Sequence, residues 1–465
     1  MPADDILPAL DELNDAQPGY ETAEDYYEGT VPEVFFSPRV RRLLHGSSTH
    51  FRVNLACRVV DAILTRMQIL ALVAENDALT EILNTQLWHA NQMELDSPDI
   101  HRAAVTYGDS YVFAWDGRGW DVEDAEGDPS VHMLYNSPKL VRGFYDEDDP
   151  REMWLAVKSW AQTKGEHKGH RVNLYYGDVI ERYVQPDEGK AVKGKFELID
   201  EIENPYGRVP FFHFRTRRPY GKPEHFNAYG PQDALTKLII NQMVTSDFAV
   251  FPQRYGLVEM GQGTDAADLF DDDDDPTDEI AKGGLQASPG GIQLLKHLKE
   301  VGTFEAADVK NFLDPMNWYI HAMAATTATP MSYMDPTGSL PSGEAQRQAD
   351  SPLVTKVDHL TLSFGATWRD LLAFGMTKIL GIPALPTVRW APTQVVNDQV
   401  GWQTVLTKIK AKVPVRIALL EAGYTELQVD EWGYTAEHPN GQPTAQPRPQ
   451  DAPEDPDDED EGIAA

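Results

Sequence analysis

The run from Gly189 to Lys195 has the spacing of a phosphate-binding loop, G-x-x-x-x-G-K, and is the nearest approach to a nucleotide site in this chain. Two features argue against that chemistry. Phe196 stands where a Ser or Thr hydroxyl would hold magnesium, and the run precedes a strand-like segment, whereas a phosphate cradle needs a helix N-terminus. Asp271, Asp273 and Asp275 alternate as calcium ligands would, but Pro276 replaces the turn glycine and Lys282 replaces the bidentate Glu. His132, His167 and His170 lie in no His-Glu-x-x-His word, and neither Ser110 nor Ser363 sits in a G-x-S-x-G elbow. Cys57, the single cysteine, falls in an apolar helical run and reads as a packed thiol rather than a nucleophile. With 74 acidic residues, paired carboxylates arise by chance and carry no signal. No catalytic residue, metal-ligand set or cofactor is expected. Phe214 to Lys222 interleaves aromatic and basic residues, as a nucleic-acid stacking surface would, but a surface turn leading into the next helix explains it better.

Charge limits the partners. The 465 residues carry 74 acids and 40 bases, a formal net charge of −34, and residues 451–465 include no Lys or Arg. Clamping duplex DNA needs a basic face. An acidic body does not exclude a protein that lets DNA slide past without sticking, and solubility alone accounts for the charge equally well. One cysteine excludes an internal disulfide and a cysteine-based metal site. No apolar run reaches the roughly 18–20 residues of a membrane span, and the opening MPADDILPAL lacks the pattern of a signal peptide. A soluble protein of a reducing compartment is expected.

The elements that position these residues read as α+β. Residues 1–30 are acidic and end on Tyr26 and Tyr27, which would anchor a short helix to the body. Arg39 to Ala74 and Asp77 to Leu95 have helical apolar spacing. At Ala103 the pattern turns to strand, with Val105 to Trp115 reading as a hairpin about Gly108 and Asp109. Strands follow over Val131–Tyr135, Leu140–Tyr145, Met153–Gln162, Arg171–Tyr176, Val179–Val184 and Phe196–Glu201. Gly230 to Val250 is a helix striped by Ala234, Leu235, Leu238, Ile239, Met243, Val244 and Phe248. Residues 261–291 form an exposed loop, then a strand over Ile292–Leu298 and a helix over Phe304–Ala325 kinked at Pro315. Pro330 stops the run Ala322–Ala328, and Asp335 to Gly343 has loop composition. Ser342 then caps a long helix whose stripe is Leu353, Val357, Leu360, Phe364, Trp368, Leu371 and Leu372, with Pro352 expected to kink it. Beyond Pro383 come a strand (Thr387–Trp390) and helices over Asp398–Ala411, Pro414–Ala422 and Thr425–Trp432.

In this order the residues resemble the portal proteins of tailed bacteriophages. The likeness rests on Asn54, Val59, Val60 and Asp61; on the meander closing at Gly207 to Phe212; on Thr329, Pro330 and Tyr333; on Pro341 to Ala345; and on Pro352, Leu353 and Lys356. It covers most of residues 25–430. It implies a portal fold with an acidic N-terminal segment (1–30), an α/β wing (31–229), a first stem helix (230–250) and a small α/β clip with an acidic loop (251–303). A second stem helix (304–328), a tunnel loop (329–343), a long kinked wing helix (344–381), a helical crown (382–434) and a disordered acidic tail (435–465) would complete it.

The resemblance further implies a homo-oligomeric ring at one capsid vertex of the virion, assembled in the host cytoplasm. Such a ring forms the channel for packaging and ejecting double-stranded DNA, without sequence recognition and without a membrane. Its partners would be the terminase large subunit, the head-tail adaptor, and the major capsid and scaffolding proteins. Tunnel-loop residues Asp335, Pro336, Thr337, Gly338, Ser339, Leu340, Pro341 and Ser342 would face the DNA. Lys237, Asn241 and Lys310 are channel-facing candidates on the stem, and Asp271, Asp272, Asp273, Asp274 and Asp275 are docking candidates on the clip. Two other readings stand beside it: a soluble α+β enzyme with an unrecognised site, which a polar pocket would favour, and another structural protein of the virion.

Overall fold

Apolar spacing decides most of the architecture. The computed structural model describes residues 5–30, 53–120, 127–164, 168–185, 196–250, 254–258, 298–303, 309–335, 342–393, 398–421, 424, 429–430, 432–435 and 438–441. The chain forms two units, Met1–Ala391 and Pro392–Ala465. In the first, α1 (Ile6–Glu28) is followed by α2 (Ala56–Arg66), β1 (Ile69–Val73) and α3 (Asp77–Ile82), which continues in π-type turns to His89. Then comes α4 (Met93–Tyr107). β2 (Asp109–Asp116) is buried along its length as the middle of an antiparallel sheet, flanked by β3 (Val131–Asn136) and β9 (Phe211–Arg215). Between them, β4 (Val141–Tyr145), β5 (Met153–Gln162), β6 (Gly169–Tyr175), β7 (Val179–Gln185) and β8 (Glu197–Glu203) make an antiparallel meander in sequence order.

The rest of this unit is α5 (Tyr229–Val250), the antiparallel pair β10 (Arg254–Val258) and β11 (Leu298–Thr303), α6 (Leu313–Thr327), α7 (Met331–Met334), α8 (Gly343–Phe374) and β12 (Thr387–Trp390), which pairs with β1. In the second unit, α9 (Asp398–Lys410) and α10 (Val415–Glu421) close over Val405, Ala418, Leu419 and Val429. The helix expected at Thr425–Trp432 lies mostly outside the described residues, as does the tail.

The stripe expected on α8 is buried from Leu353 to Leu372. It packs on β9, with Trp368 and Phe364 edge-on to Phe214 at ring-centroid distances of 4.8 and 5.9 Å. Each such side chain stabilises by about 1.5–3 kcal/mol, against about 3 kcal/mol for one proline inside a helix. The stripe wins. The helix runs on through Pro352, which stands on its exposed side.

The structure corrects three expectations. There is no hairpin at Val105–Trp115: α4 extends through Tyr107, because Ala103, Ala104 and Val105 continue its buried face. Gly108 then ends the helix in the left-handed region, at φ 94°. Residues 69–73 are a strand rather than helix, since β12 offers them a partner that the apolar run alone does not reveal. The strand expected at Ile292–Leu298 lies, but for Leu298, outside the described residues, and β11 follows it over Leu298–Thr303. Pro315 is the third residue of α6, where its missing N–H has no helical partner to lose, so it marks a start and not a kink.

Three of the described histidines are sealed into this unit. The Trp368 indole N–H donates to His101 Nε2 at 2.8 Å, and His225 bonds the Ala23 carbonyl at 2.9 Å. Burial pushes His101 down to about 3 and His225 down to about 4, and it also lowers His213. The unfolded chain takes up these protons near pH 6.5, so stability is full above that pH and falls as pH drops toward 4. Each buried imidazole adds a slope of up to about 1.4 kcal/mol per pH unit. Denaturant unfolding between pH 7.5 and 4.5 should show this decline, and His101→Gln, which keeps an acceptor for Trp368, should flatten it. An unchanged slope would refute the assignment.

Candidate functional site

Arg66, the last residue of α2, holds both approaches to residues 336–341. Its Nη2 lies 2.7 Å from Asp350 Oδ2 on α8, and its Nε donates to the Tyr333 hydroxyl on α7 at 3.4 Å. The Arg66 and Asp350 side chains are only 8% and 11% exposed, so the pair is nearly dry. One guanidinium thus ties the segment's entry to its exit. Further along α8, Lys356 Nζ sits 2.7 Å from Glu224 Oε2 and donates to the Thr327 carbonyl at 3.3 Å. Thr327 is the last residue of α6, where carbonyls lack helical partners and a cation is favoured.

Ala328 then turns the chain at φ 56°, and Pro330 precedes the short α7. Met331 and Met334 of α7 join Tyr26, Ala56, Val59, Ala228, Met323 and Ala324 in one apolar cluster. The anchoring tyrosines behave as expected. Tyr26 stacks on Tyr229 at 3.9 Å and donates to Asp233, and Tyr27 donates to Asp61. Beside this junction lies a cavity of about 350 Å³ bounded by Arg217, Lys222, Glu224, Thr327, Lys356 and His359 among others.

The candidate residues are placed unevenly. Ser342 caps α8, accepting the Ala345 N–H at 3.5 Å, and Asp335 follows α7; residues 336–341 lie outside the described set. Lys237 is exposed on α5, Asn241 is half-buried one turn on, and Lys310 is exposed in the turn before α6. Asp271 to Asp275 and the G-x-x-x-x-G-K run lie outside the described residues. Burial raises the thiol pKa of half-buried Cys57, in keeping with a packed residue. The Phe214–Lys222 stretch is mostly built into the body. Tyr220 donates to the Gly143 carbonyl at 2.9 Å beneath the Arg142 guanidinium, and Arg215 lies over the Tyr145 ring.

Spacing gives no hint of a polar cluster buried among the described residues. The Asp109 carboxylate accepts from His213 Nε2 at 2.8 Å, the Gly221 N–H at 2.7 Å and the Tyr20 hydroxyl at 2.8 Å. Tyr145 meets the other ring nitrogen of His213 at 2.6 Å. Burial would raise Asp109, but these donors outweigh it and keep its pKa below the usual range; burial keeps His213 neutral. The chain Asp109–His213–Tyr145 has the members of an acid-base relay. Asp109 and His213 are each 2% exposed, which leaves a substrate no approach to them. The signal available in sequence is a histidine inside Phe211–Phe214, where both strand faces are apolar.

A family model, "Phage portal protein, SPP1 Gp6-like", matches residues 11–381. The portal protein of Mycobacterium phage D29 is 24% identical over 314 residues, 64% of this chain and 59% of that protein. That of Mycobacterium phage L5 is 32% identical over 313 residues, covering 62% and 57%. The chain therefore spans under two thirds of the length of either relative. Among solved structures, a chain from the neck of a native gene transfer agent particle, computed with C12 symmetry, is 13% identical with a TM-score of 0.41, covering 85% of this chain and 96% of that one.

Replacing Arg66 by Met leaves Asp350 without its cation, so Arg66→Met should destabilise by about 3–5 kcal/mol in denaturant unfolding. Adding Asp350→Leu should recover most of that loss. A double variant as unstable as the single one would show that the arginine acts through packing alone.

Proposed function

The chain belongs to the SPP1 Gp6-like family of phage portal proteins, and from that premise we propose that it is the subunit of a closed ring at one capsid vertex. The ring forms the channel through which double-stranded DNA is packaged and later ejected. The observation that carries this reading is the Arg66 clamp. A segment that meets passing DNA needs its two ends fixed to a rigid body, and Tyr333 and Asp350 supply fixed points on either side of it. On this reading α5 and α6 are the stem, 335–342 the tunnel loop, β10 and β11 part of the clip, α8 the long wing helix and 382–434 the crown. Lys237, Asn241 and Lys310 line the stem channel, and the Asp271–Asp275 run serves partner docking. The partners are other copies of the chain, about twelve in the particle, the terminase, the head-tail adaptor, and the capsid and scaffolding proteins.

We assign no enzymatic role. The lining of the 350 Å³ cavity does not favour one. Its Thr326 and Thr327 hydroxyls bond helix carbonyls, and Glu224 is taken by Lys356. Among the described residues no helix is long and apolar enough to cross a membrane.

Light scattering with negative-stain imaging of the purified protein should show rings with a central hole. Gly338→Lys combined with Ser339→Lys should leave those rings intact and impair DNA filling. Normal filling would remove 335–342 from the channel. A chain that stays monomeric even with its capsid partners would overturn the ring itself.

A further inference from the structure

The cavity beside the α6–α8 junction is basic on a chain whose net charge is −34. Lys356 is matched by Glu224, which leaves Arg217 and Lys222 as the uncompensated cations of the lining, with His359 exposed beside them. Arg217 is exposed and makes no hydrogen bond or ion pair among the described residues. Lys222 has no carboxylate partner there either; its Nζ lies 3.4 Å from the centre of the Phe226 ring. Phe226 is itself 45% exposed, and Pro223, Ala328 and Pro352 complete an apolar part of the wall.

Cations alone would suit any anion. A half-exposed aromatic ring and prolines among them suit a protein segment, because aromatic and arginine side chains are the usual anchors of protein interfaces. A polyanion such as DNA would meet two cations here and an acidic body around them. A second copy of the chain brings the complement: α1 alone exposes Glu12, Asp15, Glu21 and Glu28. A ring contact is heterologous, joining two different surfaces of the same molecule, so one basic and one acidic face is the arrangement that it can use.

We propose that this cavity receives a carboxylate-bearing segment of a second copy of the chain, its acids meeting Arg217 and Lys222 and an apolar neighbour covering Phe226. The proposal rests on the ring reading above and adds the residues that make the contact.

The test uses full-length chains, half of them labelled with ¹⁵N, assembled together and treated with a zero-length carbodiimide that joins amines to carboxylates. Mass spectrometry should find Lys222 linked to an Asp or Glu peptide in pairs of mixed isotope. Arg217→Glu with Lys222→Glu should raise the concentration needed for assembly by about tenfold or more, while the neutral pair Arg217→Gln with Lys222→Gln gives a smaller shift. Both pairs should keep the wild-type unfolding midpoint. Rings from wild type and charge-reversed chains alike, or Lys222 links only within one isotope, would overturn this contact and leave the ring standing. Wild-type chains that form no ring even with their capsid partners would sink both. Protection of Lys222 by duplex DNA but not by assembly would also overturn the proposal, assigning the cavity to phosphate.

Discussion

A buried carboxylate constrains everything around it. Asp109 is almost wholly out of water, and an ion in that position costs several kcal/mol unless donors surround it. Its donors come from three distant parts of the chain: Tyr20 on α1, His213 on β9 and the Gly221 amide in the turn before α5. Satisfying one charge therefore fixes the N-terminal helix, the central sheet and the approach to α5 against one another. Backbone crowding sharpens the constraint. A Cβ on Gly221 would collide with the Gly108 carbonyl, so the helix-ending turn and the 214–222 turn cross where only glycine fits. Arg142, over Tyr220 and bonded to the Tyr20 hydroxyl, brings β4 into the same knot.

That knot determines what the basic stretch Phe214–Lys222 can do. Arg215 and Tyr220 are held to the body, while Arg217 and Lys222 are turned toward the cavity shared with Lys356. A run that reads in sequence as one patch is two things in space, a structural turn and a pair of available cations.

Local periodicity was legible, and long-range polar pairing was not. The α8 stripe, the five meander strands, the Ser342 cap and the Tyr26–Tyr27 anchor all follow from spacing within a few residues. Val105 to Tyr107 misleads because β-branched and aromatic residues favour strands only until a buried helix face claims them. Arg66 and Asp350 are separated by 284 positions, and Asp109 and His213 by 104. Such pairs leave no local period. Asp350 left a trace even so, as a carboxylate one turn before Leu353 and Val354 on the buried side of α8. The proposed tunnel loop rests on resemblance, and what the structure adds is the Arg66 clamp on Tyr333 and Asp350, on either side of residues 336–341.

The contrast between α8 and the two proposed stem helices bears on how the chain is completed. On α8 the apolar stripe laid down by the sequence is buried within the chain's own core. On α5 the same kind of stripe is not: of Ala234, Leu235, Leu238, Ile239 and Met243, only Leu235 is buried, and Met243 is 42% exposed. On α6, Leu313 and Trp318 are 49% and 64% exposed. At about 25 cal/mol per Å² of apolar surface, leaving these side chains in water forgoes stabilisation that a neighbouring copy could supply. In the proposed ring, neighbouring copies would cover them on both flanks of each subunit, and closure would stop the association. The acidic body contributes the other half of that logic: its net charge of −34 would oppose further stacking once the apolar helices are covered.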